Sequence, residues 1–201
     1  MDFKIFQILL PVLLSTSFVF GQSADSSKII HSTFDNYENL RKKQKESGID
    51  TLIYLDLTFN YKVNIPKWLN LRETGSEKLF GGTLPAIDGI ENAIMVTGFD
   101  KSKFKSFDEF TEIYLQGTIG QPAKFSKDHV WFGSNELIKI NNGVKKKVFT
   151  FWRNHIYHSQ FILLETKSAY LWIQFTSTQE TYNKNISKFD EFMTGFKITN
   201  F

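Results

Sequence analysis

The chain has 201 residues, with 24 Lys and Arg against 21 Asp and Glu, and no cysteine. A net charge of +3 is too small an excess to mark a nucleic-acid-binding protein. The missing cysteine removes disulfides, thiol nucleophiles, thiolate metal sites and a lipidated N-terminal cysteine.

The chain starts with a short polar stretch, Met1-Asp2-Phe3-Lys4, followed by an apolar run from Ile5 to Phe20. Small and polar residues come next, Gly21-Gln22-Ser23-Ala24. This three-part layout predicts a secretory signal peptide over residues 1–21. The run is shorter than the roughly 20 residues of a membrane span, and Pro11 interrupts it. Cleavage after Gly21 makes Gln22 the new N-terminus and leaves no integral membrane segment. The expected location is the periplasm or the cell exterior. Asn185-Ile186-Ser187 is a formal glycosylation sequon.

Residues 22–60 are read as a separate N-terminal addition. From Lys28 to Ser47, Ile30, Phe34, Tyr37 and Leu40 fall on one helical face, so a helix ending at Gly48 is expected. The period then changes to two. Ile53, Leu55, Leu57, Phe59, Tyr61, Val63 and Ile65 alternate with mostly polar residues, as in one strand or two strands in succession with one face on a core. Pro66 ends the run, and Trp68 to Leu71 reads as a short return strand. From Arg72 to Gly89 no period is visible and Gly75, Gly81, Gly82 and Gly89 recur, so a long irregular loop is expected.

An apolar strand, Asn92 to Phe99, precedes a helix expected within Lys101 to Gly117, with Ser106 as N-cap and Glu109 completing a capping box. Strands follow near 129–132 and 136–140, then Asn141-Asn142-Gly143 as a hairpin signal. Lys147–Arg153, Tyr157–Thr166 and Ala169–Ser177 are three more strands. A helix from about Thr181 to Met193 and a short strand at Gly195–Ile198 close the chain. The fold class is α+β, an antiparallel β-sheet flanked by helices, with an N-terminal helical extension.

The stretch Tyr61-Lys62-Val63-Asn64-Ile65-Pro66-Lys67-Trp68 resembles the opening strand of the PsbP/DcrB-like superfamily, which also holds a nuclear-import factor binding the GTPase Ran. The Ser106–Phe110 helix start, the Phe-rich antiparallel block and the ending Ser187-Lys188-Phe189 to Gly195-Phe196-Lys197-Ile198 are similar too. The resemblance covers residues 61–201. It implies an α/β/α sandwich and a binding or assembly role rather than catalysis. No ligand residue carries over.

Chemistry-bearing patterns are sparse. His155 and His158 lack a third ligand, so no metal and no cofactor is expected. Ser102-Lys103-Phe104-Lys105 lacks the partner motifs of a Ser-x-x-Lys enzyme. The expected function is a secreted, non-catalytic module binding a protein or envelope component. The alternative is a hydrolase using a carboxylate such as Glu73 or Asp88 in the 72–89 loop. Trp68, Arg72 and Phe80 are the candidate binding residues, on the reasoning that a long loop beside a Trp is a place for contact.

Overall fold

The computed structural model describes residues 27–31, 42, 45–46, 48, 51–72 and 79–200. Residues 1–21, expected to be a signal peptide, lie outside them. β1 (Ser27–His31) pairs in parallel with β2 (Thr51–Asp56), so the expected helix does not begin at Lys28. Lys42, Lys45 and Glu46 are helical, and most of the rest of that segment lies outside the described residues.

β2 and β3 (Tyr61–Ile65) form an antiparallel hairpin with Leu52 opposite Ile65, Tyr54 opposite Val63 and Asp56 opposite Tyr61. Its buried face is therefore Leu52, Tyr54 and Asp56 on β2, not Ile53 and Leu55 as continuous alternation suggested. The turn between the strands resets the parity. Asp56 organises that turn: its carboxylate accepts from the Phe59 backbone N–H at 2.9 Å, and Asn60 takes a φ of 56°. Burial pushes the Asp56 carboxyl above its ordinary range, against the lowering effect of bonds from Phe59, Thr58 and Tyr54.

β4 (Asn70–Leu71) pairs with β5 (Leu79–Thr83) rather than returning along β3. β5 corrects the expected loop: Leu79 and Phe80 belong to a strand. Gly81 and Gly82 are there for close backbone approach and not for a turn. A Cβ on Gly81 would sit 2.2 Å from the Ile94 carbonyl oxygen, and one on Gly82 2.3 Å from that of Asn70.

β6 (Ala93–Asp100) leads through one 3-10 turn at Lys101–Lys103 into α1 (Phe107–Leu115), which starts six residues later than the earliest expected point. Ser106 caps it, its hydroxyl accepting from the Glu109 N–H at 3.2 Å while the Glu109 carboxylate accepts from the Lys105 N–H. At the other end the Lys146 ammonium donates to the Leu115 carbonyl at 3.0 Å, a cation on the negative end of the helix dipole.

β7 (Pro122–Ala123), β8 (Ser126–Ser134), β9 (Ile138–Ile140), β10 (Gly143–Trp152), β11 (His155–Glu165) and β12 (Ala169–Thr178) follow, then α2 (Gln179–Gly195) and β13 (Phe196–Ile198). The large sheet runs β4-β5-β6-β12-β11-β10-β8-β7, with β9 also on β10; the small sheet runs β1-β2-β3-β13. Arg153 and Asn154 make the two-residue turn between β10 and β11, both with positive φ.

Alternation along β11 and β12 sends side chains to two separate cores. Phe161, Leu163, Tyr170 and Trp172 pack with Phe110 and Tyr114 of α1. Ile162, Leu164, Leu171, Ile173 and Phe175 pack with Phe189 and Phe192 of α2 and with the small sheet. The large sheet is therefore covered by α1 on one face and by α2 with the small sheet on the other. Leu52 and Tyr54 share that second core with Val63 and Ile65, so β2 packs as one unit with the residues after 60.

Candidate functional site

The three candidate binding residues are placed differently by the fold. Phe80 is fully buried on β5, its ring 4.0 Å from that of Tyr54, and faces the core rather than solvent. Trp68 packs its indole on the same core while its Nε1–H donates to the Glu191 carboxylate of α2 at 2.8 Å. Arg72 is exposed and pairs with Glu91 at 3.1 Å. Trp68 and Arg72 thus border the β4–β5 edge, and Phe80 lies beneath it.

The carboxylates of the alternative reading are not brought together. Asp88 is 79 % exposed and paired with Lys184 at 3.2 Å, and Glu73 lies outside the described residues. His155 and His158 stand three apart on β11, which puts them on opposite faces of the sheet. Among the described residues no group of three His, Asp or Glu is placed to hold a metal ion. No helix among them is long and apolar enough to cross a membrane. The sequon at Asn185 is closed: this side chain is fully buried in α2, where its carbonyl oxygen accepts from Lys188.

A different surface collects groups suited to contact. Odd-numbered residues of β10 share a face with Ile138 and Ile140 of β9, because Ile138 lies opposite Lys145 and Ile140 opposite Gly143. Farther along, a register shift between β8 and β10 occurs where Phe132 stands on β8. Exposed apolar side chains occur on each of these strands and beside them: Phe132 on β8 at 52 %, Ile138 on β9 at 51 %, Phe151 on β10 at 39 % and Leu137 just before β9 at 39 %. Lysines lie among them. Lys147 holds its ammonium 3.7 Å above the Tyr182 ring centroid and 5.3 Å above that of Phe149, a cation–π arrangement.

His158 meets the edge of Phe149 in this neighbourhood, ring centroids 4.8 Å apart. Burial, and then the Lys147 ammonium, hold its pKa below the ordinary histidine value, with Glu180 acting weakly the other way. His129, stacked on Trp152 at 5.0 Å, is lowered by burial. Sequence reading passed over this surface because each residue in it looks like an ordinary strand residue. The signal available was charge: from His129 to Leu164, Glu136 is the sole carboxylate against Lys139, Lys145, Lys146, Lys147 and Arg153.

No family model matches the sequence, and no curated protein matches it. Solved structures similar to this chain include the cyanobacterial PsbP, CyanoP, from Synechocystis sp., 10 % identical with a TM-score of 0.45, over 74 % of this chain and 92 % of that one. Another is PA94 from Pseudomonas aeruginosa, described as a putative regulator of unknown function, 14 % identical at a TM-score of 0.42 over 66 % and 87 %. LpqN of Mycobacterium tuberculosis, described as involved in cell envelope biogenesis, is 9 % identical at 0.41 over 70 % and 83 %. A PsbP and a bacterial protein of regulatory description are thus among the structures this chain is similar to.

Proposed function

We propose that this chain is an exported, non-catalytic binding or assembly module of the cell envelope, released by cleavage after Gly21. Its partner is a protein or envelope component, not nucleic acid, and it works in the periplasm or outside the cell. The observation that carries this reading is the exposure of Phe132, Ile138 and Phe151 on the neighbouring strands β8, β9 and β10 of the large sheet. Large apolar side chains grouped on a surface mark a place of contact. Trp68 and Arg72 border the opposite sheet edge and form a secondary contact in this proposal, without Phe80. The hydrolase reading has less support, since Asp88 is engaged by Lys184 instead of a second carboxylate.

The test has two parts. Intact-mass analysis of protein from the native host gives a chain beginning at Gln22 in the envelope or medium; a full-length cytoplasmic chain overturns the location. Chemical crosslinking in the intact envelope then gives a discrete adduct. That adduct disappears in a Phe132→Ser, Ile138→Ser, Phe151→Ser variant of unchanged melting temperature, and weakens in Arg72→Ala. An adduct indifferent to all four substitutions overturns the binding reading at these surfaces.

A further inference from the structure

The large sheet stops at β9 without a covering strand. β9 pairs with β10 alone, so among the described residues its outer flank meets no strand. The adjoining β8 is covered only part of the way. Gly120 donates to the Trp131 carbonyl at 2.9 Å, Trp131 donates to that of Gln121 at 2.8 Å, and β7 pairs no residue beyond Val130. From Phe132 to Ile140 the flank is open among the described residues, and it carries Phe132, Leu137 and Ile138 in water.

Open apolar edges invite another strand, and proteins usually block them with proline, charge or a bulge. No proline occurs between Ala123 and Phe201. The devices present are the irregularity at Phe132 and the charge of Lys139. Those devices are selective. If two copies paired β9 antiparallel about its centre, Lys139 would stand opposite its own copy, and like charges directly across a ladder are destabilising. A strand bringing a carboxylate to that position is instead favoured. The wider field points the same way, since the block from His129 to Leu164 holds five cations and one carboxylate. Of the five, Lys139 stands on β9 itself and Lys145 opposite Ile138 on β10, while Arg153 lies in the turn at the far end of β10.

We propose that the β9 flank takes up an extended segment of another protein, alternating apolar and acidic residues, by strand addition. The inference rests on the binding-module reading above and specifies its mode and chemistry. An added strand lies about 4.8 Å from β9, within reach of its backbone N–H and C=O groups. Its apolar residues extend the Ile138 and Ile140 face. Its carboxylates, on the other face, meet Lys139. A nucleic acid would answer the lysines but leave the backbone edge and the isoleucine unused.

The probe is a labelled peptide of about ten residues alternating valine and glutamate, followed by fluorescence anisotropy on the purified protein. It binds at least about tenfold more tightly than the valine–lysine isomer, and Lys139→Glu reverses the preference. N-methylation of alternate amides removes binding, and Ile138→Thr weakens it with no change in melting temperature. Amide shifts in NMR spectra fall on Phe132 to Ile140. Equal binding of the two peptides, undiminished binding after N-methylation, or shifts mapped elsewhere overturns the proposal. So does displacement of the peptide by single-stranded DNA or anionic vesicles, or dimerisation abolished by Ile138→Thr. If the peptide fails while the envelope adduct still depends on Phe132 and Ile138, strand addition falls and the binding-module reading stands.

Discussion

At the β4–β5 edge of the large sheet the apolar and aromatic residues are used within the fold, whereas at the β8–β9 edge they are left in water. Phe80 stacks on Tyr54 inside the core, Trp68 is tied to Glu191, and Arg72 is tied to Glu91. Phe132 and Ile138 remain about half exposed. Residue type alone does not separate these two sets. What separates them is that β5 lies over the core shared by α2 and the small sheet, while β9 reaches that core only through Ile140 and leaves Ile138 about half exposed. An apolar residue on the first edge is therefore spent on stability, and one on the second is available for contact.

The largest test of this difference is a pair of truncations. Phe80→Ala empties a fully buried aromatic site and costs about 3–5 kcal/mol in chemical denaturation. Ile138→Thr changes stability by no more than about 0.5 kcal/mol, because half of that side chain already meets water. Similar costs at both positions would erase the distinction between the edges.

A second substitution sharpens it from inside the open edge. Gly143 begins β10 directly after the β9 turn, and a Cβ there would lie 1.9 Å from the Leu163 carbonyl oxygen. Backbone cannot yield as a side-chain tip can, so Gly143→Ala costs about 1–3 kcal/mol. The disturbance should appear as faster amide exchange in β9 and β10, with β5 and β6 retaining their protection. Uniform loss of protection would mean that the two edges unfold as one.

The smallest effect is on pH dependence, and it has opposite signs in the two regions. His129 and His158, on the β8–β11 side, have pKa values held below 6.5 in the fold. The unfolded chain then binds more protons, so stability is lost as pH falls from 6.5 through their folded values. Asp56, under the β2–β3 turn, has a pKa raised above 3.8. Its contribution is fully present below 3.8 and is lost as pH rises through the folded value. His158→Gln should flatten the histidine limb and Asp56→Asn the carboxylate limb in pH-dependent melting. If His158→Gln leaves the slope below 6.5 unchanged, the burial assigned to this ring is wrong.

The sequence by itself determined the elements whose signals are local. Ser106 and Glu109 mark the start of α1 because a capping box needs only neighbouring residues. The run from Lys147 to Ser177 is legible as strands because period-two alternation and short turns leave no other economical reading. The charge asymmetry of residues 129–164 is also plain in the sequence. Tertiary structure decided the rest. Gly81 and Gly82 look like loop glycines until β4 and β6 are laid against them, since the close approach that requires glycine is made by residues distant in the chain. The buried face of β2 is set by the turn at Asp56, which shifts parity so that Leu52 and Tyr54, not Ile53 and Leu55, face inward. Phe80 and Ile138 are equally apolar in the sequence. Only the order of strands, which leaves one under a second layer and the other on an open flank, determines which is core and which is surface.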